Sequence, residues 1–375
     1  MNRTRAVVLI LSASFVSMAP GEQLTCKVHT WWAEFHEQNM QRRNPCETVL
    51  NVDNVGKLAL KWSYTIGKHV YSSPAVANGV VYVGSGNHNV YALDAETGTR
   101  LWQYTTGSHV YSSPAVANGV VYVGSSDHNV YAFDAKTGDR LWYYTTGGDV
   151  YSSPAVADGV VYVGSGDRHV YALKADTGAK LWRFATGGGI GSSPAVSNGV
   201  VYVGSKDRNV YALNAATGAK LWNYPTGNWV YPSSPAVANG MVYVGSEDDS
   251  VYALDASTGA KLWSFGARDG VASSPAVADG VVYVGSNDSN LYALNARTGA
   301  KLWGYLTDRQ VESSPAVANG VVYVSSIDGG IYALNADTGG VLWSSVTGYV
   351  SSPVVANGVL YIGSYDGKIY AFGLK

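Results

Sequence analysis

Five of the seven histidines, His69, His88, His109, His128 and His169, fall early in a long glycine-rich stretch. Imidazole is a common transition-metal ligand and the one side chain that titrates near neutrality, so this set could form a metal site or a pH-sensitive patch. The plainer reading is a set of solvated loop positions copied as a unit was duplicated, and no metal site is assigned. Further along lie the cations Arg168, Arg208 and Arg309, then the acids Glu247, Asp248, Asp249, Asp269 and Glu312. Trp229, followed by Tyr231 and an extra Pro232, is an aromatic in a connecting segment. A side chain of that kind can stack on a sugar or anchor a peptide. Nucleophilic catalysis has little to stand on: no serine is singled out beside a histidine and an acid, and no glycine-rich phosphate loop precedes a helix.

What positions these residues is a repeat. Ser-Ser-Pro begins at Ser72, Ser112, Ser152, Ser192, Ser233, Ser273, Ser313 and Ser351, in steps of 40, 40, 40, 41, 40, 40 and 38 residues. Within one unit, Ser72 to Ala77 reads as a short strand with its proline near the start, where the missing N–H does least harm. Asn78-Gly79 between two apolar runs is a hairpin signal, because a type I′ turn needs φ > 0 at both central residues. The runs around Val80–Ser85, Asn89–Ala95 and Thr99–Thr106 read as three further strands. No apolar pattern of helical period with caps occurs in the repeats, so the prediction is all-β.

A four-stranded meander of this size cannot bury two apolar faces alone; packing such sheets radially around an axis can. The expectation is an eight-bladed β-propeller of four-stranded antiparallel blades. The last repeat stops after its third strand, and a spare strand of the missing type lies over residues 58–66, which predicts that the N-terminal strand completes the last blade. Trp62, Trp102, Trp142, Trp182, Trp222, Trp263, Trp303 and Trp343 occupy one slot of the fourth strand. Burying an indole there is worth roughly 4–6 kcal/mol at most, and the set reads as structural cement between blades.

In a meander, the Asn-Gly and Thr-Gly turns share one face of the ring. The turn after the second strand and the link between blades share the other. The first face is monotonous; the second carries the histidines, Arg168, Arg208, Arg309, Trp229, Asp248 and Asp249. Specific residues held on loops by a rigid scaffold mark the face that meets a partner. Tyr71, Tyr111 and Tyr151 share one inner-strand slot and are expected at the channel or its rim.

Residues 1–21 have the form of a signal peptide: Arg3 and Arg5, an apolar run from Ala6 to Met18, then small residues. Export to the periplasm or the exterior follows, with no transmembrane segment after cleavage; the alternative is that the segment stays uncleaved as an anchor. A lead-in over 22–57 holds Cys26 and Cys46, the only cysteines, read as a disulfide closing a loop of about 20 residues and worth roughly 3 kcal/mol. Formal net charge is −2 with 14% charged residues and no basic run, which argues against a nucleic-acid partner.

Ala92-x-Asp94-x-x-Thr97-Gly98-x-x-x-Trp102 resembles the tryptophan-docking motif of the quinoprotein, or PQQ-like, propeller family, over residues 58–375. The Asp slot drifts to Lys174, Asn214, Asn295 and Asn335. The resemblance implies the propeller fold. Its dehydrogenases imply pyrroloquinoline quinone (PQQ) with Ca²⁺, but the long insertions and adjacent cysteine pair of those enzymes have no counterpart here. In size and regularity the ring is similar to the propeller lipoproteins of outer-membrane assembly, although Leu24-Thr25-Cys26 lacks the small residue that a lipobox requires. The expected role is an exported, non-catalytic scaffold that binds a protein or glycan through its variable face, with no cofactor. The alternative is a minimal PQQ-dependent oxidoreductase with the cofactor in the channel.

Overall fold

The computed structural model describes residues 42–348 and 351–375. The expected signal peptide over residues 1–21, most of the lead-in and Cys26 lie outside the described residues. Cys46 is buried and disulfide-bonded.

Eight antiparallel sheets follow one another around an axis. Blade 1 is Ala75–Ala77, Val80–Gly84, Asn89–Asp94 and Arg100–Thr105, paired in that order from the axis outward. Asn78 and Gly79 have φ of 52° and 74°, as the hairpin signal requires, and the same pair recurs blade after blade. The sole helical element among the described residues is a 3-10 turn, Val55–Lys57. The ring closes through its N-terminal strand: Leu58–Thr65 pairs antiparallel with Lys368–Leu374, with Trp62 opposite Ala371.

The tryptophans join the blades. Each indole donates its N–H to a carbonyl of the next blade, Trp62 to Ala95 at 3.0 Å and Trp102 to Ala135 at 2.9 Å. From Trp62 to Trp303, each ring also lies on the glycine of the next blade's Thr-Gly turn. A Cβ on Gly98 would come within 2.6 Å of the Trp62 ring, so glycine is needed there for contact as well as for its φ of 72°. A second-strand tyrosine reaches the same carbonyl, as in Tyr82 to Ala135 at 3.1 Å. The Asp94 carboxylate accepts the N–H groups of Glu96 and Thr97. Asn214 does the same with its amide oxygen, which explains why aspartate and asparagine interchange in the motif.

The lead-in does more than reach the first strand. Arg43–Asn44 adds in parallel to the inner strand of blade 7, making that sheet five-stranded. Arg42 is fully buried against the axis, where its guanidinium donates to the carbonyls of Ser314, Pro315 and Pro353. Burial pulls its pKa down to about 9. Buried Glu47 accepts N–H bonds from Val49, Leu50 and, in blade 8, Gly358. The lead-in thereby ties blade 7 to blade 8, the blade that the N-terminal strand completes.

Candidate binding site at the propeller mouth

The Ser-Ser-Pro strands line the axis, and their two serines have different tasks. The first hydroxyl accepts an N–H within its own blade, as Ser72 does from Gly84 at 3.0 Å. The second accepts from the neighbouring blade: Ser73 N–H to Ser113 Oγ at 3.0 Å, Ser113 to Ser153, Ser153 to Ser193, and on to Ser314 and Ser352. This belt forms the floor of a funnel of about 490 Å³ that opens on the variable face. Tyr71, Tyr111, Tyr151, Tyr231, Tyr365, Ala272 and Glu312 wall it.

Half of the wall is aromatic. From Tyr365 to Tyr71, Tyr111 and Tyr151, successive ring centroids are 4.3, 4.7 and 5.9 Å apart. His69 and His109 back this arc, each with Nδ1 on a main-chain carbonyl, of Tyr365 at 2.5 Å and Gly86 at 2.7 Å. The phenol of Tyr151 donates to Asp149 at 2.6 Å, and this bond, more than burial, raises its pKa to about 12. The other half of the mouth is mixed. Tyr231 fills the space beside Gly191, where a Cβ would run into its ring. Lys206 Nζ sits 4.0 Å from the Tyr231 ring and 5.5 Å from that of Trp229. Beyond Trp229, which is 47% exposed, a groove holds Glu247, Asn287 and Glu312. Burial first, then the charges of Asp269, Glu312 and Asp249, push the Glu247 pKa up.

The two loop sets picked from the sequence meet in pairs, the inner turn of one blade against the link of the next. His88 lies edge-on to His109 with centroids 4.7 Å apart, and His128 Nε2 is 3.2 Å from Asp149. His169 folds back on Asp167 of its own turn. Arg168, Arg208 and Asp249 occupy the left-handed slot of the inner turn, with φ of 73°, 70° and 67°, and are exposed, as is Arg309. Among the described residues, no group of three or more His, Cys, Asp or Glu side chains could hold a metal ion. Asp248 has a local task. Its carboxylate accepts from Gly227 N–H, Ser250 N–H and the Tyr252 hydroxyl, and the aspartate at this position of other blades does likewise.

Lys206, Asn287 and Tyr365, all at the mouth, were not among the residues predicted to form the binding face, whereas Glu247 beside them was noted as one of its acids. They share one column, the residue after the serine that ends the second strand, which also holds Gly86, Ser126, Gly166 and Ile327. The variety of that column was the available signal. Arg42 behind the floor had none.

A family profile described as outer membrane protein assembly factor BamB matches residues 47–164, 147–228 and 228–372. The chain belongs to this PQQ-like repeat family. Its fold is similar to that of BamB from Moraxella catarrhalis, with a TM-score of 0.72 at 20% identity, covering 84% of this chain and 99% of that one. It is also similar to a quinohemoprotein alcohol dehydrogenase from Pseudomonas putida HK5, with a TM-score of 0.79 at 20% identity, covering 92% of this chain and 80% of that one. At such identities the likeness is one of fold. In sequence, 65 residues are 43% identical to a quinoprotein ethanol dehydrogenase from Pseudomonas aeruginosa, a match covering 16% of this chain and 10% of that protein. The PQQ-like family thus offers both a non-enzymatic and a dehydrogenase precedent for this ring.

Proposed function

We propose that this protein is an exported, non-catalytic propeller that binds a partner through its variable face. One observation carries the reading. The blades repeat the same contacts throughout, and their side chains diverge where inner turns meet links, at His88/His109, His128/Asp149 and the Lys206, Trp229, Glu247 group. A scaffold that varies on one face presents that face to something else. The family description, an outer-membrane assembly factor, supports a protein as the partner. Among the described residues, no helix is long and apolar enough to cross a membrane.

The residues at the mouth do not fit PQQ. That cofactor is a planar tricarboxylate and calls for several cations around it. Here the funnel wall carries Glu312, Arg42 is sealed behind the floor with its donors on carbonyls, and Lys206 lies against Tyr231 and Trp229. The test is site-specific photo-crosslinking in envelope preparations of the native host. A probe at Trp229 should form discrete adducts, and a probe at Asn198 on the opposite face should form none. Adducts of equal yield from both positions, or from neither, would remove the face assignment. Saturable PQQ binding with dye-linked alcohol oxidation would replace it with the oxidoreductase reading.

A further inference from the structure

The funnel has chemistry of its own, whichever partner the outer loops engage. Its floor is a ring of buried hydroxyls, from Ser73 at 3% exposed to Ser314 at 4%. From Ser113 round to Ser352, each oxygen accepts an N–H from the preceding blade, which directs the remaining lone pair and the proton elsewhere. Among the described residues these protons have no protein acceptor, apart from a 3.4 Å contact between Ser234 and the Pro232 carbonyl. The belt therefore offers a converging set of O–H donors, with further acceptor capacity, to whatever occupies the axis. Buried polar groups of this kind are normally satisfied, so the floor calls for a hydrogen-bonding occupant.

Charge narrows the class. Glu312 in the wall and Glu247 in the adjoining groove disfavour an anion. A floor of O–H donors backed by the Arg42 guanidinium disfavours a simple cation. The aromatic arc from Tyr365 to Tyr151 supplies apolar ring faces and edges opposite these polar groups. Asn287, at the groove, has a buried amide oxygen with no hydrogen-bond partner. A neutral ligand with an apolar C–H face and a rim of hydroxyls meets all of these conditions together. The volume of about 490 Å³ lies within the roughly 300–1,000 Å³ of small-molecule sites.

We propose that the axial funnel is a binding site for a neutral saccharide unit, stacked on the Tyr71–Tyr111–Tyr151 arc with its hydroxyls on the serine belt and on Glu312. The unit is either a free sugar or the end of a glycan chain. The experiment is saturation-transfer difference NMR on the whole protein with glucose, galactose, N-acetylglucosamine and their β-linked dimers, with methylammonium and acetate as charged controls. Saturation should pass from tyrosine protons to sugar ring C–H protons, and neither control should compete. Tyr111→Ala and Glu312→Gln should each weaken affinity at least tenfold, and the unfolding midpoint of each variant, measured alongside, separates loss of binding from loss of fold. An immobilised polysaccharide of the winning sugar distinguishes a chain end, which it retains, from a free sugar, which it does not. No transfer to any sugar of the panel, unchanged affinity in Glu312→Gln, or equal competition by either control overturns the proposal. Crosslinking at Trp229 reads the outer face separately, so failure of one reading leaves the other standing.

Discussion

Two glycines of blade 1 allow a controlled test of what holds adjacent blades together. Gly79 and Gly98 have nearly the same backbone, φ of 74° and 72°, and both lie in turns on the same face of the ring. A Cβ on Gly79 meets nothing within 4 Å, whereas one on Gly98 lands 2.6 Å from Cδ2 and Cε3 of Trp62. Gly→Ala at either site incurs the left-handed penalty, about 1–2 kcal/mol. At Gly98 the indole must also shift, and overpacking of that kind adds about 1–3 kcal/mol. The 3.0 Å bond from Trp62 to Ala95 shares that contact and would be strained with it. The expectation is a loss of about 1–2 kcal/mol for Gly79→Ala and roughly 2–5 kcal/mol for Gly98→Ala. The measurement is equilibrium urea unfolding followed by tryptophan fluorescence, with the double variant Trp62→Leu/Gly98→Ala closing a mutant cycle. A coupling above about 0.5 kcal/mol is expected, because residues in contact are not additive. Equal losses at the two glycines, or a coupling of zero, would refute the view that the Thr-Gly turn is conserved from blade to blade as a seat for the tryptophan.

Other consequences follow from the same contacts. Tyr323, at the closing seam, is fully buried and its hydroxyl has no hydrogen-bond partner, whereas Tyr82 donates to Ala135. Tyr→Phe should therefore be neutral or stabilising at 323 and destabilising by about 1 kcal/mol at 82, read by denaturant midpoint. Removing the Ser113 hydroxyl by alanine leaves the Ser73 N–H without its acceptor and should lower stability by about 1–3 kcal/mol; an unchanged midpoint would deny the belt a structural part. Tyr82 and Tyr243, chiefly through burial, have pKa values raised to about 12. Their folded pKa lies above the unfolded value of about 10, so the stability they contribute is intact below pH 10 and is lost as pH rises through 12. Phenolate absorbance should accordingly appear for them only as the ring unfolds, and reversible ionisation of every tyrosine near pH 10 in the folded state would contradict this. Asp248→Ala should destabilise blade 5, because it frees Gly227 N–H and the Tyr252 hydroxyl, whereas Trp229→Ala, at an exposed side chain, should leave the unfolding midpoint in place.

The legible and illegible parts of this protein separate by the range of the forces involved. Strand identity, hairpin turns and the tryptophan slot are local signals repeated eight times, and the structure carries them in the places predicted. The candidate site was legible by face but not by residue. The column holding Lys206, Glu247, Asn287 and Tyr365 varies openly, yet its nearness to the funnel depends on how the second strand leaves the axis. Conversely, Asp248 looked like part of an acidic surface, and only its three local bonds show that it shapes a turn.

The sequence by itself determined an all-β ring of eight blades and the closure by its N-terminal strand, because repeat period, β-turn chemistry and a single missing strand leave little other choice. Tertiary structure alone decided three things. It placed Arg42 behind the floor, since nothing in a short polar lead-in announces that it will pair with blade 7. It turned the second serine of each Ser-Ser-Pro into a link between blades, because an N–H on one blade finds its acceptor a full repeat away. And it gathered four tyrosines into one arc, three from a common slot and Tyr365 from a turn, because ring closure brings blade 8 beside blade 1. Each of these rests on a contact between residues far apart in the chain, for which local sequence carries no physical signal.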